Sequence, residues 1–245
     1  MRKDIVRIAV VAIILAGIAV YIGIRPTPVK APAAADTQTP IILPAGAYTE
    51  QSPDYAIAAN YPTTTPLASI ANEKAIALIQ SYIGGIISQF KTQGNFAYPT
   101  GGAKETLQIK YLVSSSSRTV SYIFTVYEDT SGAHGNLFFH TFTFDTSTGA
   151  ELALADLFAP NTAYLNTLST ISRAQLPNVI GQGADASFIA RGTAPEAKNF
   201  ENFFIDNGDL DILFDPYQVA PYAAGPQTLR IPLAALGAIL NPQYR

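Results

Sequence analysis

The sequence has 245 residues, of which 48% are hydrophobic and only 13% are charged, with a formal net charge of −3 and no cysteine. A chain of this length forms one or two domains. The absence of cysteine excludes disulfides and thiolate metal sites, and the acidic balance gives no support for binding to nucleic acid.

The N-terminal region carries an uncharged apolar run from Ile8 to Ile24. As a helix this run is about 25 Å long, close to a hydrocarbon core of about 30 Å, and residues 5–24 contact the bilayer if Arg7 reaches the headgroups. We therefore predict a single-pass anchor in the cell membrane at residues 1–24, with the bulk of the chain extracytoplasmic. The alternative is a cleaved signal peptide, with small residues for cleavage at Ala31-Pro32-Ala33.

A proline-rich and alanine-rich segment follows the apolar run. Prolines occur at positions 26, 28, 32, 40 and 44, and they prevent a regular helix and favour extended backbone. We predict a linker at residues 25–55. The remaining residues, 56–245, are enough to bury one substantial core.

The first half of this region, 56–150, reads as one helix followed by strands. Apolar residues recur at helical spacing over 72–93, with Asn72 as a plausible N-cap. Apolar residues then alternate with polar ones over 107–113, 120–126 and 138–144. This order predicts an antiparallel meander with a helix packed on one face.

The second half, 151–245, repeats the pattern of helix and then strand. Apolar spacing predicts a helix that starts near Tyr164 and has ended by Pro177, and Thr193 to Glu196 resembles a capping box before another helix. Asn207-Gly208 is a good short hairpin turn between two apolar segments. The predicted fold class is therefore α+β, with antiparallel sheets and packed helices, preceded by one transmembrane helix.

Two long motifs resemble those of a known family. The segment from Ser131 to Phe158, SGAHGNLFFHTFTFDTSTGAELALADLF, and the segment from Leu210 to Leu236, LDILFDPYQVAPYAAGPQTLRIPLAAL, are similar to paired signatures of exported bacterial domains of unknown function. These domains occur in the extracytoplasmic region of RsiV-type anti-sigma factors and beside the catalytic domain of PdaC-type peptidoglycan deacetylases. The resemblance covers about Tyr61 to Leu236 and implies an α+β fold. It also implies a precedent for lysozyme binding, which the anti-sigma member uses as a sensor.

The histidines and the clustered carboxylates of this sequence do not form a recognisable catalytic or metal site. His134 lies in a glycine-flanked loop that suits a tight turn, and His140 alternates with phenylalanines in a strand, as a packed residue does. The carboxylates of Asp206 to Asp211 resemble the start of a calcium loop, but Tyr217 stands where the closing glutamate is required. We predict no cofactor, no metal site and no enzymatic activity.

The segment 215–226, which follows the predicted hairpin, is the best candidate for binding. Its three prolines restrict the backbone and its two tyrosines offer broad contact area with a polar tip. The alternative is a structural crossover in which the tyrosines pack on the core. The candidate ligand-binding residues are Pro216, Tyr217, Pro221, Tyr222 and His134.

These observations predict a membrane-anchored, non-catalytic domain that recognises a cell-envelope ligand. The candidate partners are a lysozyme-like muramidase and the glycan of peptidoglycan. A purely structural envelope role is the second hypothesis, and an unrecognised cell-wall hydrolase is the third.

Overall fold

The computed structural model describes residues 43–94, 104–130 and 132–245. The predicted anchor at 1–24 and most of the predicted linker lie outside these residues. Within the described part of the chain, no helix is long and apolar enough to cross a membrane.

The first of two sheets has five strands in the order β1-β2-β3-β4-β5. Its strands are β1 (Ala47–Gln51), β2 (Tyr55–Asn60), β3 (Glu105–Ser115), β4 (Thr119–Asp129) and β5 (Asn136–Asp145). Helix α1 (Ser69–Gln93) connects β2 to β3, and these two strands are parallel, whereas every other neighbouring pair is antiparallel. The predicted meander of β3, β4 and β5 is confirmed. The parallel pairing of β2 with β3 was not predicted, and it arises because the helical crossover through α1 returns the chain in the same direction.

The second sheet has three antiparallel strands in sequence order. It consists of β6 (Phe203–Asp206), β7 (Asp209–Phe214) and β8 (Gln227–Pro232), and it is accompanied by helices α2 (Tyr164–Ile180), α3 (Ala186–Gly192) and α4 (Leu233–Leu236). The α+β class with antiparallel sheets and packed helices is therefore confirmed for the described residues.

The folded region starts earlier than the predicted boundary between linker and domain. Strand β1 lies within 25–55 and pairs along its whole length with β2. The Tyr61 hydroxyl also donates to the carbonyl of Pro44. The structure therefore moves the start of the domain from residue 56 to the neighbourhood of Leu43. The edge strand β1, with the sequence AYTEQ, consists mostly of polar residues and therefore carries a weak sequence signal.

Three local features of the helices differ from the predictions. Helix α1 begins at Ser69, and the carboxamide of Asn72 accepts the backbone N–H of Thr65 rather than capping the helix. Helix α2 does not end by Pro177 but continues to Ile180. Pro177 lies in its last turn, where the proline removes only one backbone hydrogen bond. Thr193 follows the end of α3, and its hydroxyl donates to the Ile189 carbonyl at 2.6 Å instead of capping a helix. The predicted helix after it is a single 3₁₀ turn, Ala197–Phe200, which follows Glu196.

Each sheet has its own core. Residues four apart on α1, including Ile79, Ile83 and Ile87, are fully buried against the first sheet, as their spacing predicts. The second core contains Leu168 of α2 together with Phe214 of β7.

Hydroxyl groups join the two sheets. The Phe203 N–H donates to Thr141 Oγ1 at 3.1 Å, and the Phe203 carbonyl accepts from Thr143 Oγ1 at 3.2 Å. Two residues further along β6, the Ile205 carbonyl accepts from Ser114 Oγ at 3.0 Å. These bonds satisfy the outer edge of β6, which would otherwise be buried without partners.

Asp145 ties the end of β5 to the C-terminal segment. Its carboxylate accepts from Arg118 Nε at 2.8 Å, from the backbone N–H groups of Ser147 and Thr148, and from the Tyr244 hydroxyl at 3.0 Å. Burial would raise the pKa of Asp145, but these hydrogen bonds outweigh it and hold the pKa below its usual range.

Candidate functional site

The proline-rich segment after β7 is an ordered loop with a fixed base. Gln218 Nε2 donates to the carbonyls of Gly192 at 3.3 Å and Asn199 at 3.0 Å, while its Oε1 accepts from the Asp215 N–H at 3.1 Å. Val219 is completely buried. The loop is therefore held from beneath by the helical region that precedes β6.

A close approach of backbone explains why a glycine stands at position 192. A Cβ added there would overlap the carbonyl group of Gln218. Sequence reasoning missed both residues, because the contact joins two segments that are far apart along the chain.

Tyr217 projects from this base in an unusual backbone conformation. Its φ angle is +68°, in the left-handed region that a tyrosine seldom occupies, and 52% of its surface is exposed. Such a conformation costs a non-glycine residue roughly 1–2 kcal/mol. The fold thus holds a large aromatic ring at the surface in a strained position.

Tyr217 forms one cluster with Tyr222 and His134, and we call these three residues the aromatic patch. The His134 and Tyr222 rings stack with a centroid distance of 3.9 Å and an interplanar angle of 22°. His134 Nε2 lies 3.3 Å from the Tyr217 hydroxyl, and the two tyrosine rings are 5.4 Å apart. All three aromatic residues named by the sequence as binding candidates therefore meet at one surface.

The His134 loop is fixed by its backbone. The Gly135 carbonyl accepts from the Tyr222 hydroxyl at 2.9 Å and lies 2.9 Å from His134 Nδ1. Gly135 itself is buried, and a Cβ at this position would overlap the ring of Tyr127. Tyr127 and Tyr222 therefore both contact the turn at Gly135, whereas His134 remains exposed.

The two prolines among the candidate residues frame the patch. Pro216 is half-buried beside Tyr217, and Pro221 is exposed directly before a single 3₁₀ turn formed by Tyr222–Ala224. Their fixed φ angles restrict the backbone on either side of the tyrosines.

Asp215 fastens the loop to the first sheet. Its Oδ1 accepts the backbone N–H of Phe139 on the outer edge of β5 at 2.8 Å. Burial raises the pKa of Asp215, and the charge of Glu201 raises it further, although the bond from Phe139 opposes both.

His140 lies apart from the aromatic patch and packs within the first sheet. Its ring stacks on Tyr82 of α1 at 4.1 Å and meets Phe142 edge-on at 4.6 Å. Burial lowers the pKa of His140, so the neutral imidazole is favoured. The interpretation of His140 as a packed residue is confirmed.

The acidic cluster forms the predicted hairpin. Asn207 and Gly208 adopt φ angles of +48° and +87° between β6 and β7. Asp206, Asp209 and Asp211 all face Arg230 of β8, with N–O distances of 4.0, 3.6 and 3.0 Å.

These three carboxylates thus share one guanidinium. In residues 43–94, 104–130 and 132–245, no group of three or more His, Cys, Asp or Glu side chains is arranged to hold a metal ion.

Part of the chain matches a known protein family. Residues 155–234 match the family described as "Protein of unknown function (DUF3298)". This span includes the second sheet and the loop that carries Tyr217 and Tyr222. The likeness to this family is therefore shown for residues 155–234.

Two curated bacterial proteins are similar to the chain. The peptidoglycan-N-acetylmuramic acid deacetylase PdaC of Bacillus subtilis is 31% identical over 187 residues, which cover 76% of this chain and 40% of PdaC. The immunogenic protein MPT64 of Mycobacterium tuberculosis is 25% identical over 122 residues, which cover 50% of this chain and 52% of that protein. The chain thus spans about half or less of the length of these relatives. The predicted resemblance to PdaC-type proteins is confirmed.

A solved structure shares the fold. The crystal structure of a DUF3298 family protein from Pseudomonas aeruginosa PAO1 has a TM-score of 0.55 and 19% identity, and the match covers 84% of this chain and 97% of that one. At this identity the likeness concerns the fold alone.

Proposed function

We propose that this chain is a non-catalytic, extracytoplasmic protein whose aromatic patch recognises a cell-envelope ligand, either the glycan of peptidoglycan or a lysozyme-like muramidase. The observation that carries the proposal is the cluster of Tyr217, Tyr222 and His134 at one exposed surface. Aromatic rings that are already fixed lose little entropy on binding and offer flat area for a sugar ring or a protein side chain.

The strain at Tyr217 supports a binding role. A ring that served only to fill space would be satisfied in an ordinary backbone conformation and would be buried. Here a costly φ angle of +68° keeps the ring 52% exposed. Backbone strain of this kind clusters at functional sites.

The envelope assignment rests on the similarity to PdaC and on the predicted anchor. The name of that relative places its substrate in peptidoglycan, and the uncharged run from Ile8 to Ile24 predicts export.

Protease added to intact spheroplasts should remove the domain. Protection from protease would contradict the topology, and release of mature protein into the medium would favour a cleaved signal peptide.

The contacts of the patch favour recognition over catalysis. His134 contacts a backbone carbonyl and a tyrosine hydroxyl, and both contacts fix its ring within the aromatic patch. Asp206, Asp209 and Asp211 around the β6–β7 turn are gathered around Arg230, an arrangement that suits an ion-pair network joining β7 to β8.

A structural role is the second candidate, and one contact favours it. The Tyr222 hydroxyl donates to the Gly135 carbonyl and so joins the two loops. On this alternative the patch holds loops together and binds nothing.

Cosedimentation with purified peptidoglycan sacculi and capture on immobilised hen egg-white lysozyme separate these possibilities. The full-length chain in mild detergent should bind one of the two, and Tyr217→Gly should weaken that binding about thirtyfold, the value for loss of an interface tyrosine worth about 2 kcal/mol. Binding to neither would favour the structural role. Release of soluble wall fragments from sacculi would favour a hydrolase.

A further inference from the structure

A cavity of about 640 Å³ lies between the first half of helix α1 and the turn that follows strand β5. Its volume is in the range of small-molecule sites. Helix residues three and four apart, between Ala68 and Leu78, form one wall, and residues 148–151 form the other. The cavity shares no residue with the aromatic patch, so it is a separate candidate site.

The turn that forms the second wall is fixed in place. The Asp145 carboxylate accepts the backbone N–H of Thr148 at 2.9 Å, and the Asp145 N–H donates to the Ala150 carbonyl at 2.9 Å. Gly149 has a φ angle of +71°, and a Cβ added there would overlap the Cβ of Ala71 on the helix. The two walls therefore touch at Gly149, and the cavity is formed in advance of binding. A preformed site loses less free energy to ordering when a ligand binds.

The cavity leaves hydrophobic side chains uncovered. Buried Ala75 and Phe144 form its floor. Ile70 and Leu78 also line it, and they are 69% and 37% exposed. Removing apolar surface of this kind from water is favourable, so the cavity suits a ligand with an apolar body.

Two charged side chains line the cavity, and they have opposite signs. Lys74 belongs to the helix wall, whereas Glu151 belongs to the wall that follows β5. Within the described residues, neither side chain forms an ion pair or a hydrogen bond, with the other or with any third group. One positive and one negative charge therefore face the cavity without partners.

Nearby charges do not compensate these two. Asp145, in the same turn, is paired with Arg118 at 2.8 Å. Glu151 also lines a smaller cavity together with Lys198, but Lys198 is paired with Glu196 at 2.8 Å. Protein atoms displace part of the water around the Glu151 carboxylate, and this desolvation raises its pKa. An ammonium group beside Glu151 would supply the missing positive charge.

We propose that this cavity binds a small zwitterion with an apolar body, such as an apolar amino acid or a short apolar peptide. The ammonium of the ligand contacts Glu151, its carboxylate contacts Lys74, and its apolar side chains cover Ile70 and Leu78. A ligand with only one charge would leave one wall charge unpaired, and a second charge of the wrong sign would be repelled. The ligand is thus recognised by both of its ends and by its body.

Titration calorimetry on the full-length chain in mild detergent tests the proposal with leucine and leucyl-leucine. Each probe is compared with its N-acetylated form, which lacks the ammonium, and with its C-terminal amide, which lacks the carboxylate. At least one zwitterion should bind at concentrations up to about 10 mM, and both of its blocked forms should bind about tenfold more weakly or not at all. Binding of leucine alone identifies an amino-acid site, binding of leucyl-leucine alone identifies a peptide site, and binding of both also supports the proposal.

Two variants assign each wall charge to one end of the ligand. Glu151→Gln should weaken binding of the zwitterion about tenfold and remove the preference for it over the N-acetylated form. Lys74→Gln should weaken binding equally and remove the preference over the amide. Both residues are exposed, so both variants should fold. Glu73→Gln and Lys110→Gln make the same changes at exposed positions that do not line the cavity, and they should bind like wild type.

Several results would overturn the proposal. These are failure of both zwitterions to bind, equal binding of either blocked form to the wild-type chain, and unchanged binding of the zwitterion in either cavity variant. A loss of the same size in the two control variants would indicate a general effect of charge and would also overturn it.

Discussion

Replacing Tyr217 by glycine and by alanine measures the strain in the candidate binding loop. Both changes remove the ring, so both lose its contacts with His134 and Tyr222. They differ only in how the new residue tolerates the φ angle of +68°. The pair therefore isolates the backbone term from the loss of the side chain.

The expected magnitudes follow from exposure and conformation. A large side chain that is fully buried contributes about 1.5–3 kcal/mol, so the half-exposed Tyr217 ring contributes about 1 kcal/mol, and both variants lose it. At an ordinary position glycine is less favourable than alanine by about 0.5–1 kcal/mol. In the left-handed region the alanine Cβ costs about 1–2 kcal/mol. The free energy of unfolding of Tyr217→Gly should therefore be about 0.5–1 kcal/mol higher than that of Tyr217→Ala.

Urea unfolding of both variants at pH 7 gives the comparison. Ala223→Gly is the matched control in the same loop, because Ala223 lies in a 3₁₀ turn and is not among the residues with positive φ. It should lose about 0.5–1 kcal/mol. An alanine variant more stable than the glycine variant by 0.5 kcal/mol or more, a margin of the size estimated above, would refute the strained conformation of Tyr217 and with it the argument for a binding role.

Three further predictions concern the support of the site and of the fold. Gly192→Ala should destabilise the chain by about 1–3 kcal/mol and displace the loop, because the new Cβ overlaps the Gln218 carbonyl; an unchanged midpoint in urea would contradict this. Asp145→Asn should cost about 3 kcal/mol at pH 7, since a buried partner of an ion pair is lost. The folded pKa of Asp145 is lowered, so its stabilisation is present above the unfolded pKa of about 3.9 and is lost as pH falls below it; a deficit that stays equal at pH 3 would argue against this linkage. The fragment 43–245 should melt at least about 5 °C higher than 56–245, which lacks β1, and equal melting temperatures would restore the later boundary.

Local sequence signals correctly predicted elements whose evidence lies within a few residues. Apolar positions four apart identified the buried face of α1, and alternation identified β3, β4 and β5. Asn207-Gly208 specified a hairpin because both residues tolerate positive φ. By contrast, β1 and β2 were missed, since strands of only five and six residues, one mostly polar and the other rich in alanine, carry little periodicity.

The sequence by itself determined which residues the candidate site contains, through the prolines and tyrosines of one loop and the glycines around His134. Only the tertiary structure decided that these segments meet, with Tyr217 and His134 in contact across 83 positions of the chain. The bond from the Phe139 N–H to Asp215 fixes one loop against the edge of β5, and the Tyr222 bond to Gly135 closes the other. Such contacts depend on how two sheets pack against each other, and local patterning carries no information about distances between segments that are remote along the chain.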